Sequence, residues 1–230
     1  MKAIQFFLLL SLGVCDAFAQ APDLQAENSF GGSSNEHAHC IQSTKDGGYI
    51  MAGSTESHDG DVHGNHGEDD FWVVKLDRHG AIQWQKALGG VIDEKAFSVQ
   101  QTFDGGYIVA GEANSNEGQV RGNHGRFDYW VVKLDSAGDI DWQRSLGGSK
   151  DDFATCIRQT KDSGYIVAGG SFSADGQVTG HHGMDIYSDC WVVKLGSSGH
   201  IQWQHSYGGT SGDVAQDVQE TKDGGYVVAG

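Results

Sequence analysis

Short runs rich in Val, Ile, Thr, Tyr and Trp, bounded by glycines and separated by polar stretches, follow one another along almost the whole chain, and each predicts a β-strand. Four of them make a first unit: Ala38 to Thr44, Gly48 to Ser54, Phe71 to Leu76 and Ile82 to Leu88. Lys45-Asp46-Gly47-Gly48 joins the first two, and its Asp-Gly step supplies the positive φ that a tight hairpin needs. Asp77-Arg78-His79-Gly80 joins the last two just as closely. Beyond the N-terminal apolar run, no stretch keeps a 3.6-residue period without a glycine break, so helices are not expected.

The unit then repeats. TKDGGYIMAG at Thr44 returns at Thr102, Thr160 and Thr221, with six of ten positions the same in all four copies and steps of 58, 58 and 61 residues. FWVVKLD from Phe71 recurs as YWVVKLD from Tyr129 and CWVVKLG from Cys190. IQWQKALGG from Ile82 recurs as IDWQRSLGG from Ile140 and IQWQHSYGG from Ile201. Three blocks that keep one register mark tandem copies of a single supersecondary unit.

A four-stranded antiparallel unit without helices, repeating at this period, is the pattern of a β-propeller blade. Blades are expected over residues 31–88, 89–146 and 147–207, with a partial fourth over 208–230, or about 3.5 blades in all. Residues 20–30 are expected to form an N-terminal closing strand, because Leu24 to Phe30 aligns with Ile82 to Leu88. Trp72, Trp130 and Trp191, with Trp84, Trp142 and Trp203, are expected to pack blade against blade. Gly230 falls at the end of a second strand, which would leave open edges. The expectation is therefore a natural chain that continues past Gly230 and is a monomer once its propeller closes; closure by oligomerisation is the alternative.

Composition adds compartment and excludes some partners. Asp and Glu number 31 against 15 Lys and Arg, a formal net charge of -16, which leaves little to neutralise phosphates; nucleic acid is not an expected partner. Lys2, the apolar run from Phe6 to Val14 and Ala17-Phe18-Ala19 before Gln20 predict a signal peptide over residues 1–19, cleaved near Ala19. Export to the cell surface or beyond follows. No later apolar stretch is long enough for a transmembrane segment. Removing Cys15 leaves Cys40, Cys156 and Cys190, an odd number that argues against a disulfide framework.

As a set, the DGGYIVAG, WVVKLD, IQWQ and GGS blocks resemble those of secreted bacterial β-propeller repeat proteins, many of them exported by type IX secretion with a C-terminal sorting domain. The resemblance covers residues 24 to 230 and implies fold and export, in a group whose members mostly lack an established activity. KLDSAGDIDW from Lys133 is similar to the tryptophan-bearing repeat of quinone-dependent dehydrogenases, whose quinone and calcium ligands have no counterpart here, so only the architecture carries over. Thr44-Lys45-Asp46-Gly47-Gly48 resembles the Asp-box of sialidases, with Met51 where a tryptophan is usual and no arginine triad. Leu12-Gly13-Val14-Cys15 resembles a lipoprotein cleavage box with Val14 at its small-residue position, which leaves a lipid anchor as the alternative to a soluble product.

Candidate chemistry falls on the connections between second and third strands, Thr55 to Asp70, Glu112 to Asp128 and Ser171 to Asp189. All should emerge on one face, where loops on a rigid scaffold carry function. Their cores are DGDVHGNHG from Asp59, EGQVRGNHG from Glu117 and DGQVTGHHG from Asp175. Asn65, His66, Asn123, His124, His181 and His182 are the expected ligand-face residues. Read as metal ligands, one histidine per blade is too widely spread for zinc, and Gly-Asn-His-Gly also reads as a plain turn. Calcium is retained only for the first loop, with Asp59, Asp61, Asp69 and Asp70. Glu94, Asp152 and Asp213 are expected to cap turns by accepting backbone hydrogen bonds.

Copies this uniform suit display better than catalysis. The expected function is a secreted, non-catalytic scaffold that binds a glycan or protein ligand at the loop-rich face. The alternative is a hydrolase or lyase on a propeller platform, for which the third loop, with its three extra residues and His181, is the place.

Overall fold

The computed structural model describes residues 27–184 and 186–230. The signal segment, Cys15, the first part of the expected closing strand and Asp185 lie outside these described residues. Fourteen strands make up the rest: β1 (Glu36–Ser43), β2 (Tyr49–Thr55), β3 (Asp70–Leu76), β4 (Ile82–Leu88), β5 (Glu94–Gln101), β6 (Tyr107–Ala113), β7 (Asp128–Leu134), β8 (Ile140–Leu146), β9 (Asp152–Gln159), β10 (Tyr165–Ser171), β11 (Asp189–Leu195), β12 (Ile201–Tyr207), β13 (Asp217–Glu220) and β14 (Tyr226–Ala229). There is no helix among the described residues.

Sheet order follows chain order. β1 to β4, β5 to β8 and β9 to β12 each form a four-stranded antiparallel sheet, and β13 pairs with β14 alone. Successive sheets approach one another through their first strands, β1 to β5 to β9 to β13, so these line the inside and β4, β8 and β12 lie outermost. This is the blade arrangement of a β-propeller, and the ring is not closed. A groove of about 630 Å³ beside β14 is lined by Val192, Trp203, Tyr226 and Val228.

The hairpins hold because polar residues are fixed at each turn. Gly47, Gly105 and Gly224 take positive φ at the first hairpin, and Ser163 does so at φ 65° where the third copy lacks the glycine. Lys75, buried in β3, donates to Asp46 at 2.8 Å, to the Leu76 carbonyl at 2.8 Å and to Gln83 at 3.0 Å, tying both turns of the blade together. Lys133 and Lys194 repeat the arrangement with Asp104 and Asp162. A buried ammonium is tolerated here because carboxylate and carbonyl oxygens replace its water.

Blade faces supply the core. Val73, Val109, Val132, Val167 and Val193 are fully buried, and so are Val62 and Val120, with Val178 at 1%, folded in from the long loops. The second tryptophan of each blade meets the tyrosine that opens the second strand of the next: Trp84 with Tyr107, Trp142 with Tyr165 and Trp203 with Tyr226, all edge-on at 5.5 to 5.6 Å. Gln101 accepts from the Lys45 amide at 2.8 Å and Gln159 from the Phe103 amide at 2.7 Å, each linking a blade to the hairpin before it. Cys40, Cys156 and Cys190 are free thiols.

The described part of the expected closing strand, residues 27–30, is not a strand. A strand needs a neighbour to complete its ladder, and among the described residues no strand pairs with this segment. Its side chains still pack: Phe30 lies against Val62, Trp72, Val74 and Leu76, and Asn28 donates to the Gly80 carbonyl at 3.3 Å. Lys86, 58 residues on, reaches the same turn of the following blade through Asp139 at 2.7 Å.

Three of the inner strands, β1, β5 and β9, carry a β-bulge. The register of β1 on β2 steps from Ala38 to Cys40, that of β5 on β6 from Ala96 to Ser98, and β9 on β10 from Ala154 to Cys156. His39, Phe97 and Thr155 are the unpaired residues. The ladder closes up opposite them, where a Cβ on Gly53, Gly111 or Gly169 would lie 1.7, 1.9 or 2.0 Å from the carbonyl oxygen of His37, Lys95 or Phe153. The Ala-Gly ending of the second-strand motif is thus a steric requirement of the bulge.

Candidate functional site

The loop residues singled out by the sequence do one job twice over. Asn65 donates from Nδ2 to the carbonyls of Thr55, Ser57 and Glu68 at 3.3, 3.1 and 3.4 Å and accepts from the Gly67 amide at 3.1 Å. Asn123 does the same with Ala113, Ser115 and Arg126 at 3.0, 3.2 and 2.9 Å and with Gly125 at 2.9 Å. His66 and His124 place Nδ1 2.7 Å from Asp70 and Asp128, whose same oxygen accepts the histidine's own amide at 3.0 Å. His182 pairs with Asp189 in this way at 2.9 Å. These are clamps that shape each long loop.

His181 breaks the pattern. It stands where Asn65 and Asn123 stand, its side chain is 3% exposed, and both ring nitrogens are buried without a hydrogen-bond partner. Asp189 Oδ2 lies 3.7 Å from its Nδ1.

The four acids considered for calcium do not converge. Asp59 accepts from the Ser33 amide at 2.7 Å, Asp61 from the Gly31 amide at 3.1 Å, Asp69 pairs with Lys95 at 3.3 Å and Asp70 with His66. Among the described residues no group of three or more His, Cys, Asp or Glu side chains is arranged to hold a metal ion. The turn acids act as their spacing predicts: Glu94, Asp152 and Asp213 accept the amides of Gly90, Gly148 and Gly209 at 2.6, 2.8 and 2.9 Å. Each faces a second buried carboxylate across a glycine: Asp70 Oδ1 and Glu94 Oε2 lie 2.4 and 2.5 Å from the point a Cβ on Gly89 would occupy. The Oδ1 atoms of Asp70, Asp128 and Asp189 are buried without partners. Burial pushes the Asp70 and Glu94 carboxyls up, and that of Asp128 up to about 6.

The blades differ instead at the inner mouth, where the first strand begins and the second ends. Three cross-strand pairs occupy the same register: His37 with Ser54, Lys95 with Glu112, and Phe153 with Gly170. The bulge residue beside each is His39, Phe97 and Thr155. The His37 and His39 rings stack at 6.3 Å, and His39 reaches across to Phe97 at 4.9 Å. Burial, with His37 and Lys95 adding to it, pulls the His39 imidazole below its usual range. Phe153 covers Gly170, where a Cβ would lie 2.6 Å from the ring, and tilts against Phe172 at 6.5 Å.

Glu112 is the most perturbed group of this wall. Burial pushes its carboxyl up to about 7, opposed by Lys95 and reinforced by Asp151 and Asp93. Thr155 is spent on structure, donating to the carbonyls of Ala168 and Ala215 at 3.0 and 2.7 Å. His37, His39, Lys95, Phe97, Glu112 and Phe153 were not singled out from the sequence. Their signal was there, in the disagreement among EHAHCIQS, EKAFSVQQ and DFATCIRQ inside an otherwise uniform repeat.

No family model matches the chain. It is 25% identical over 205 residues to the regulatory protein FlaEY of Caulobacter vibrioides, a similarity that takes in 79% of this chain and 20% of that protein, so the chain spans about a fifth of the relative's length. Among solved structures it is similar to Sqt1 from Chaetomium thermophilum, at 12% identity and a TM-score of 0.40, over 85% of this chain and 41% of that one.

Proposed function

We propose that this protein is a non-catalytic propeller-type scaffold, exported from the cytoplasm, that holds a glycan or protein ligand at the inner mouth of its blades. One observation carries the reading. The clamps, turns and interblade contacts repeat from blade to blade, while the chemically distinct side chains gather where β1, β5 and β9 begin. A framework needs its copies alike, and a binding site needs them different. Similarity to a protein named as regulatory fits action through binding.

Glycan and protein microarrays probed with the protein, and with a variant carrying Phe97→Ala and Glu112→Ser, test this. The second change installs the residue the first blade already has there, Ser54. Ligands that bind the parent and not the variant are expected; equal binding by both would remove the inner mouth from consideration. Export is tested by fractionating cells that express the gene with and without codons 1–19.

A second reading, a hydrolase or lyase, has one observation in its favour: Glu112 is a blade-specific carboxyl held at about 7, where a general acid or base works best. Polysaccharide turnover abolished by Glu112→Gln would establish it.

A further inference from the structure

At the far end of the inner strands from the mouth, the hairpins between first and second strands are tied from blade to blade. Lys45 reaches from the first hairpin to the carbonyls of Thr102 and Phe103 at 3.2 and 3.3 Å, and Lys161 from the third to that of Thr221 at 2.9 Å. The second hairpin carries Phe103 in the place of the lysine. It cannot make the tie, and it stands 60% exposed. A cavity of about 300 Å³ lies between this hairpin and the third blade, lined by Phe103, Asp141, Trp142, Gln159, Ser163 and Tyr165 among others.

Two more departures from the repeat meet in the same cavity. Asp141 stands where the first and third blades have Gln83 and Gln202, and Ser163, at φ 65°, where the other hairpins have Gly47, Gly105 and Gly224. Each departure gives something up: Phe103 forgoes a link between blades, and Ser163 holds a left-handed backbone that glycine adopts without strain. The frame behind them keeps the repeat. Trp142 meets Tyr165 edge-on as in the other blades, and the Phe103 amide donates to Gln159 at 2.7 Å just as that of Lys45 donates to Gln101 at 2.8 Å.

Going beyond the inner-mouth reading, we propose that this cavity is a second site, which binds one unit of a neutral sugar. Lys133 lies between its two acids, 3.0 Å from Asp104 and 3.4 Å from Asp141, so a cationic ligand would meet an ammonium and an anionic one two carboxylates. A neutral ligand with both donors and acceptors suits such a lining. A sugar ring offers hydroxyls to Asp141, Gln159 and Ser163, which between them accept and donate, and an apolar C–H face to the exposed Phe103. The volume is that of a small ligand pocket, enough for a single ring.

The experiment is a titration of the isotope-labelled full chain with glucose, galactose, mannose and N-acetylglucosamine, each to about 50 mM, followed by NMR. Saturable shifts of the Phe103 and Ser163 amides and of the Trp142 indole are expected with at least one of the four. Phe103→Lys and Asp141→Gln install the residues that neighbouring blades already carry, so both variants should fold, which circular dichroism checks. Each should weaken binding about tenfold or more, the loss of one contact to the ring. The variant carrying Phe97→Ala and Glu112→Ser, altered only at the inner mouth, should bind as the parent does. No saturable shift with any of the four sugars, or equal affinity in the parent and Phe103→Lys, overturns the second site and leaves the inner-mouth reading standing. Binding lost in the inner-mouth variant and kept in Phe103→Lys also overturns it, and assigns the sugar to the mouth.

Discussion

Phe71 of the first blade lies against Trp130 of the second, ring centroids 4.6 Å apart and planes at 57°, and Tyr129 repeats the contact with Trp191 at 4.8 Å and 56°. The first residue of the third-strand motif in the first two blades therefore serves the next blade's tryptophan. Trp130 is fully buried, so Trp130→Ala should cost about 3–5 kcal/mol, read as a lower urea midpoint. A loss below about 1 kcal/mol would show that the blades do not rest on this contact.

The bulge predicts a graded response to alanine. Gly111→Ala would set a Cβ 1.9 Å from the Lys95 carbonyl, so the ladder must open, and severe loss of soluble folded protein is expected. Gly122→Ala, at φ 79° with open space around it, should cost only about 1–2 kcal/mol of backbone strain. Similar costs for the two would contradict the bulge.

His181 offers the reverse test. Installing asparagine there restores the residue that clamps the other two loops, and it removes a buried imidazole whose nitrogens make no hydrogen bond among the described residues. His181→Asn should raise stability by about 1–2 kcal/mol, with slower amide exchange over residues 172–184. No gain would mean that the longer third loop cannot close on the amide.

Stability should peak in mildly acidic solution. Asp128 and Glu112 have folded values raised to about 6 and about 7 by burial, so their contribution is full below the unfolded carboxylate range and is lost as pH rises through 6 to 7. Asp162 is held at about 2 by its hydrogen bond from Thr160, against some burial and with help from Lys194; Asp104 reaches about 2 although burial opposes it, because Thr102 and Lys133 outweigh that. Their contribution is present above the unfolded value and lost as pH falls through about 2. Urea midpoints from pH 3 to 8 should therefore fall toward pH 8, and Asp128→Asn should lessen that fall. A midpoint that climbs steadily to pH 8 would contradict the assignment.

The strands were legible because glycine hairpins carry their own backbone instructions. The run Ile82 to Leu88 is the observed β4, and Phe71 to Leu76 differs from β3 by one residue. The tryptophan contacts and turn-capping acids followed from their regular spacing. The site was harder, and for a physical reason. Gly-Asn-His-Gly attracts the eye by recurring, yet recurrence marks what every blade needs, so Asn65, His66, Asn123 and His124 are spent on loop shape. A bulge leaves no trace in hydrophobic alternation, so Phe97 and His39 read as ordinary strand residues. The long connection from Glu112 onward also drew attention past the strand end, where Glu112 faces Lys95.

Because the bulge lifts one residue out of the ladder in each of the three full blades, backbone pairing places no demand on that side chain. His39, Phe97 and Thr155 differ in size, charge and aromaticity while the glycines facing them stay the same. Copies born alike by duplication can thus drift apart in chemistry and remain interchangeable in shape, and a designer can vary the positions of His39 and Phe97 as freely as the tips of antibody loops while the backbone ladders stay in place, whereas Thr155 has been taken up as a tie to the Ala168 and Ala215 carbonyls.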